Sequence, residues 1–185
     1  SGAVSAANSL IGTTAGDSVG ATGSVMALPS GNYVMLTQSW DNGASTDAGA
    51  ITWGNGTTGT LGTISSANSL VGIGQGDRVG GNGVKVLPSG NYVVTSSSWS
   101  ASMGAVTWAS GTAPITGTVS AANSLVGSTS ADELGSRGIL QLTNGNYVVL
   151  SPNWDNAGIP NAGAATWVNG TVGLSGTLNA ANSLV

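Results

Sequence analysis

Gly138-Ile-Leu-Gln-Leu-Thr-Asn-Gly-Asn-Tyr-Val-Val-Leu-Ser151 is two apolar runs joined by a short polar turn. Asn-Gly between apolar runs is the strongest short hairpin signal, because both residues tolerate the backbone a tight turn needs. After the polar segment from Asp155 to Ala162 come Gly163-Ala-Ala-Thr-Trp167, a second Asn-Gly at Asn169–Gly170, and Gly176-Thr-Leu-Asn-Ala-Ala-Asn-Ser-Leu184. This predicts four antiparallel strands, with both Asn-Gly pairs as hairpin turns and the last stretch as one strand. Both alternating faces of Tyr147-Val-Val-Leu150 are apolar, the pattern of a strand covered on both sides. No window holds a 3.6-residue period, so no helix is expected.

The scheme occurs three times. Asn-Tyr-Val carries Tyr33, Tyr92 and Tyr147, and Gly-Ala-x-Thr-Trp ends at Trp53, Trp108 and Trp167. Ala-Asn-Ser-Leu occurs four times, with Asn8, Asn68, Asn123 and Asn182 at intervals of 60, 55 and 59 residues. Pro29 to Gly31 and Pro88 to Gly90 stand where Thr143 to Gly145 stands in the third copy. The middle copy is shorter between Trp99 and Trp108, which places a surface loop there. The chain thus divides into a leading outer-strand copy from a preceding repeat or partner (1–12) and three repeats (13–72, 73–127 and 128–185). Ser1–Ile11 and Ser175–Val185 are copies of one element. With no initiator Met at Ser1, a processed product or a piece of a longer chain is expected.

The composition excludes much chemistry. Of 185 residues, 31 are Gly, three are Lys or Arg and seven are Asp or Glu, for a net charge of −4. No His and no Cys removes the imidazole base, the thiolate nucleophile, the usual zinc site and any disulfide. Arg78, Lys85 and Arg137 cannot neutralise a phosphate backbone, so nucleic acid is not an expected partner. With 40% apolar residues and a mean hydropathy of +0.21 the chain can bury a core. Its apolar runs fall far short of the roughly 20 residues of a membrane helix, so no membrane insertion is expected.

One repeat resembles the FG-GAP blade of integrin-alpha-type β-propellers. The resemblance rests on residues 8 to 20, Asn-Ser-Leu-Ile-Gly-Thr-Thr-Ala-Gly-Asp-Ser-Val-Gly, and on Gly145 to Pro152 with Asn161 to Trp167. It implies an all-β chain of three tandem four-stranded antiparallel repeats built as propeller-like blades. A β-trefoil and a β-solenoid are the alternatives. FG-GAP blades often carry a calcium loop between their first two strands. Here that place holds Leu28 to Asn32, Leu87 to Asn91 and Leu142 to Asn146, without a carboxylate, so neither metal nor cofactor is expected. A more distant likeness is to tandem repeats of very large bacterial surface proteins.

Three blades cannot close a propeller, since four to eight are typical. The array is therefore expected to continue, or copies to associate through edge strands. Trp53, Trp108 and Trp167, ending an apolar strand, are expected in inter-repeat packing, with Tyr33, Tyr92 and Tyr147 as repeated structural positions. Trp40, Trp99 and Trp154 stand at the mouth of the variable loop, two of them followed by Asp41 and Asp155. These five are the candidate ligand-binding residues, with sugar stacking as the chemistry. Asp17, Asp77 and Asp132 each precede a glycine and read as caps of turn N–H groups, not as a catalytic pair. Asn8, Asn68, Asn123 and Asn182 read as turn residues satisfying local backbone, or as a ladder of stacked amides.

No catalytic residue is identified, and the chain is not expected to be an enzyme. The expected function is a structural or adhesive repeat module of a secreted or cell-surface bacterial protein, acting by self-association or multivalent contact. The alternative is a lectin-like propeller that binds carbohydrate.

Overall fold

The computed structural model describes residues 2–185, so Ser1, the first residue of the leading copy, lies outside the described residues. The leading copy forms β1 (Leu10–Ile11). The next repeat forms β2 (Val25–Ala27), β3 (Tyr33–Thr37), β4 (Ala50–Gly54), β5 (Gly62–Thr63) and β6 (Leu70–Val71). The middle one forms β7 (Val84–Val86), β8 (Tyr92–Ser96), β9 (Ala105–Ala109), β10 (Gly117–Thr118) and β11 (Leu125–Val126). The last forms β12 (Ile139–Gln141), β13 (Tyr147–Ser151), β14 (Ala164–Val168) and β15 (Gly176–Thr177). The chain is all-β and repeated, as the sequence reads, apart from one four-residue turn of helix at Trp99–Ser102. In that turn Ser100, Ala101 and Ser102 are left-handed, at φ of +50°, +56° and +63°, which is how the shortened loop of the middle copy reverses direction.

The antiparallel meander of each repeat comes from one turn. Gly145 N–H donates to the Leu142 carbonyl (3.1 Å) and Leu142 N–H to the Asn146 carbonyl (2.8 Å), and the Pro-Ser-Gly turns repeat both bonds. Only the glycine is left-handed, at +84°, +85° and +87° in the three copies. This is a three-residue loop over Thr143–Gly145, where the sequence places the turn, and it is a type I turn closed by a left-handed glycine. Pro29 or Pro88 therefore replaces Thr143 without strain, since proline suits the first central position of a type I turn.

The last stretch of each repeat departs from the expected single strand. Gly176–Thr177 and Leu184 are separated by a turn in which Asn182 Oδ1 accepts from Asn179 N–H (2.9 Å) and Asn182 Nδ2 donates to the Thr177 carbonyl (3.0 Å). Asn123 does the same with Ser120 and Thr118. The amides serve their own turns and form no ladder. The second Asn-Gly is no hairpin turn either. A Cβ on Gly170 would run into the Gly145 carbonyl, and the chain beyond it leaves the sheet.

The departing Gly-Thr strand pairs in parallel with the Leu-Val or Leu-Ile strand of the preceding copy: β5 with β1, β10 with β6, β15 with β11. The Leu-Val strand in turn pairs antiparallel with its own meander, β6 with β4 and β11 with β9. Two five-stranded mixed sheets result, β10-β6-β4-β3-β2 and β15-β11-β9-β8-β7, beside the three-stranded sheet β12-β13-β14. Each parallel pair ties two repeats together, which a purely antiparallel repeat would not do.

Apolar faces of successive sheets meet. Val34, Ile51 and Leu70 pack with Tyr92, Val94 and Ala105 in one core, and Val93, Val106 and Leu125 pack with Tyr147, Val149 and Val168 in the next. β8 is buried along its whole length, as a strand covered on both faces should be. Among the described residues no helix is long and apolar enough to cross a membrane.

Candidate functional site

The recurring aspartates and the loop-mouth residues come together at one place in each repeat. Asp132 Oδ2 accepts from Ser128 N–H (2.6 Å), Thr129 N–H (2.9 Å) and Ser128 Oγ (3.0 Å). Its Oδ1 accepts from Thr129 Oγ1 (2.7 Å) and, across to the mouth of the variable loop, from Asp155 N–H (3.2 Å). Asp155 Oδ1 continues the chain of contacts by accepting from Asn161 N–H (2.8 Å). Asp17 and Asp41 reproduce this arrangement, with Asp41 N–H on Asp17 and Asp47 N–H on Asp41. In the shortened copy Asp77 reaches Ser100 N–H (2.9 Å).

Burial by itself would raise the Asp17 and Asp132 carboxyls. The hydrogen bonds from the loop N–H and hydroxyl groups outweigh it and hold both below the usual carboxylate range. Each of these carboxylates is thus a knot closing two loops, its acceptor positions occupied by the chain itself. Among the described residues no group of three or more acidic side chains is placed to hold a metal ion.

Of the three candidate sugar-stacking rings, two are covered and Trp99 is half-buried. Trp40 and Trp154 are each only 4% exposed, and a stacking platform needs a bare ring face. Trp154 lies in the core between the second and third sheets and donates from Nε1 to Ser128 Oγ (2.8 Å). Trp40 packs with Ala50, Ile64 and Val71, and Trp99 packs against the core between the first and second sheets. Each tryptophan is the third residue after its strand, directly before the residue whose N–H bonds to the aspartate of the knot.

Trp53, Trp108 and Trp167 join repeats. Trp53 Nε1 donates to the Gly111 carbonyl (3.3 Å) of the next repeat, and Trp108 Nε1 to the Gly170 carbonyl (2.9 Å). Ser30 Oγ and Asn32 Nδ2 converge on the same Gly111 oxygen, as Ser89 and Asn91 do on Gly170. Asn91 Oδ1 meanwhile accepts from Gly111 N–H (3.3 Å), so this asparagine holds its own repeat and the next at once. Sequence reading missed Asn32, Asn91 and Asn146. Their signal was the invariable Asn before each repeated Tyr-Val. It also missed the buried hydroxyl pairs Thr52 with Ser69 (2.7 Å) and Thr107 with Ser124 (2.6 Å), which pin the Ala-Asn-Ser-Leu strand to its meander. Tyr92 and Tyr147 are buried between sheets, which pushes their phenols well above the ordinary range, while Tyr33 is half-buried.

Trp167 is 55% exposed. Trp108→Ala is therefore expected to lower stability by about 3 kcal/mol and Trp167→Ala by less than about 1 kcal/mol. Urea midpoints of the two variants check this, and equal losses would remove the joining role.

Residues 1–21, 27–81, 86–136 and 141–185 match a family described as a repeat of unknown function (DUF5650). The chain belongs to this family and contains it four times, the leading copy only in part. The breaks between matches fall on the segments that form or lead into β2, β7 and β12. No curated protein and no solved structure matches the chain. The tandem repetition stands, and the FG-GAP identity finds no support in these matches.

Proposed function

We propose that the chain is a structural or adhesive repeat module of a secreted or cell-surface protein, acting through copy number by self-association or multivalent contact. One observation carries this reading: the contact set joining the first two meanders recurs between the second and third. Both times a tryptophan N–H, a serine and an asparagine converge on one glycine carbonyl beside a parallel strand pair. The polar side chains that repeat most faithfully are engaged in holding turns and neighbours, and they leave no shared reactive centre. At the level of stacked antiparallel strands the likeness to FG-GAP blades belongs to this reading. The outer location is supported by a composition in which Ser, Thr, Asn and Gly stand in place of charges.

Latex beads coated with the chain at graded density test the proposal. Clustering that rises with density and is competed by soluble chain is expected. A glycan array probed with the same chain is the second arm. Specific sugar binding together with beads that never cluster would turn the reading to the lectin alternative.

A further inference from the structure

The first repeat differs from the second at one turn. It reads Ala21-Thr-Gly-Ser24 where the second reads Gly81-Asn-Gly83, and so is one residue longer. The two turns correspond, since Leu36 N–H donates to the Ser24 carbonyl (2.7 Å) as Thr95 N–H does to that of Gly83 (3.1 Å). In the second repeat the turn is tied to the end of its meander strand: Asn82 Oδ1 accepts from Ser97 N–H (2.8 Å), and Ser96 Oγ from Gly80 N–H (3.0 Å). The first repeat has no asparagine here to reach Gln38, and Thr37, which stands where Ser96 stands, takes no such bond. Beside this longer turn a cleft of about 420 Å³ opens between the first repeat and the second.

Both walls of the cleft belong to joined repeats. Ser24, Leu36, Thr37, Gln38 and Ser39 come from the first, Gly81 and Gly83 from the second. Ser24 and Thr37 are 8% and 2% exposed, and neither hydroxyl has a hydrogen-bond partner in the protein. Buried polar groups are nearly always bonded, so two unpaired hydroxyls on one wall point to a ligand that bonds them. The rest of the lining sets its class. No Lys or Arg stands there to hold an anion. Asp17, the one carboxylate, has both oxygens filled by Thr13, Thr14 and Asp41, which leaves none for an amine. Leu36 and the bare Cα atoms of the glycines add a small apolar strip without an aromatic ring. Hydroxyls and an amide beside such a strip match a compact neutral polyol, with C–H groups on its face and hydroxyls at its rim.

We propose that this cleft binds one neutral hexose, the terminal unit of a glycan. The hydroxyls of the ring bond Ser24 and Thr37 and, at the rim, Gln38 and Ser39, while its C–H face lies on Leu36 and the glycines. The site adds a ligand to the structural reading above and does not depend on clustering between copies. At the next junction Asn82 ties the turn down, so one hexose per chain is expected and not one per repeat.

Titration of the isotope-labelled chain with glucose, galactose and mannose, followed by amide chemical shifts in NMR, tests the site, with sorbitol and inorganic phosphate as comparison solutes. The expected result is a saturable movement of the Gln38, Ser39, Gly81 and Gly83 amides with at least one hexose, at one site per chain, and none with sorbitol or phosphate. Thr37→Val is expected to weaken binding about tenfold and to leave the thermal midpoint unchanged or higher, because the hydroxyl it removes has no partner in the protein. A threonine that served only the fold would lower the midpoint and leave the affinity alone. Replacing Ala21-Thr-Gly-Ser24 with Gly-Asn-Gly, a turn the second repeat already folds, is expected to abolish binding. The proposal is overturned if no hexose moves these amides, if sorbitol or phosphate moves them as strongly, or if the folded Thr37→Val chain binds as tightly as the wild type. Beads that cluster while no hexose binds would leave the structural reading standing and remove this site, and loss of both would remove the two together.

Discussion

Asp132→Ala is expected to destabilise the chain by about 3–4 kcal/mol, with the loss seen as an earlier urea midpoint and an unchanged slope. The carboxylate is fully buried and accepts from three backbone N–H groups, those of Ser128, Thr129 and Asp155. Removing it leaves those donors without partners in a place water reaches poorly, and each such group costs about 1–3 kcal/mol. Asp132→Asn restores the shape and one acceptor oxygen but turns an amide NH2 toward N–H groups, so it should fall between the wild type and Asp132→Ala. The same carboxylates set the acid limit. Asp17 and Asp132 titrate lower folded than unfolded, so their contribution is complete above the unfolded value of about 3.9 and is lost as pH falls through the depressed folded values. Thermal midpoints should be flat from neutrality to about pH 5 and fall below about pH 4. Asp132→Ala should show a shallower acid fall, because one of the two groups no longer titrates. A variant as stable as the wild type at pH 7 would mean that the knot does not hold the loops.

Gly104→Ala and Gly163→Ala change the same residue of the same Gly-Ala-x-Thr-Trp motif, and the first is expected to cost about twice as much as the second. Both glycines are left-handed, at φ of +78° and +77°, which costs an alanine about 1–2 kcal/mol. At Gly163 that is nearly the whole effect, since a Cβ there meets only the Pro152 and Ser151 backbone at 3.4 Å or more. At Gly104 a Cβ would run into the backbone N and O of Leu134, which pairs with Gly104 in a parallel bridge. Backbone cannot step aside as a side chain can, so a packing cost of about 1–3 kcal/mol is added and the total is about 2–5 kcal/mol. Gly49 stands against Val79 in the same way and should behave like Gly104. Thermal unfolding of the two alanine variants decides it, and equal losses would show that stacking does not constrain this position.

These two comparisons also mark how far the sequence could be read. The meander was legible because Leu-Thr-Asn-Gly-Asn-Tyr is a local signal, its two turn bonds closing within five residues. The aspartate caps were legible for the same reason, most of their donors lying three or four residues away. The destination of Gly176–Thr177 was not legible. Two residues carry no periodicity, and their partners Leu125 and Val126 lie about fifty residues earlier. The burial of Trp40 and Trp154 was not legible, because a loop-mouth position says nothing of which loop folds over it. Asp155 N–H reaching Asp132 closes that loop across 23 residues.

By itself the sequence determined the unit: an all-β repeat, its turns, its local caps and its apolar strand faces, all set by contacts among near neighbours along the chain. Only the tertiary structure decided how units join, because the same Trp, Gly and Leu occupy every copy. Trp108 is anchored to Gly170 and Trp167 is bare, although their motifs read alike. What separates them is whether another sheet lies 10 Å or so beyond, the usual spacing of packed sheets, and that depends on the stacking of whole repeats and not on any residue within one.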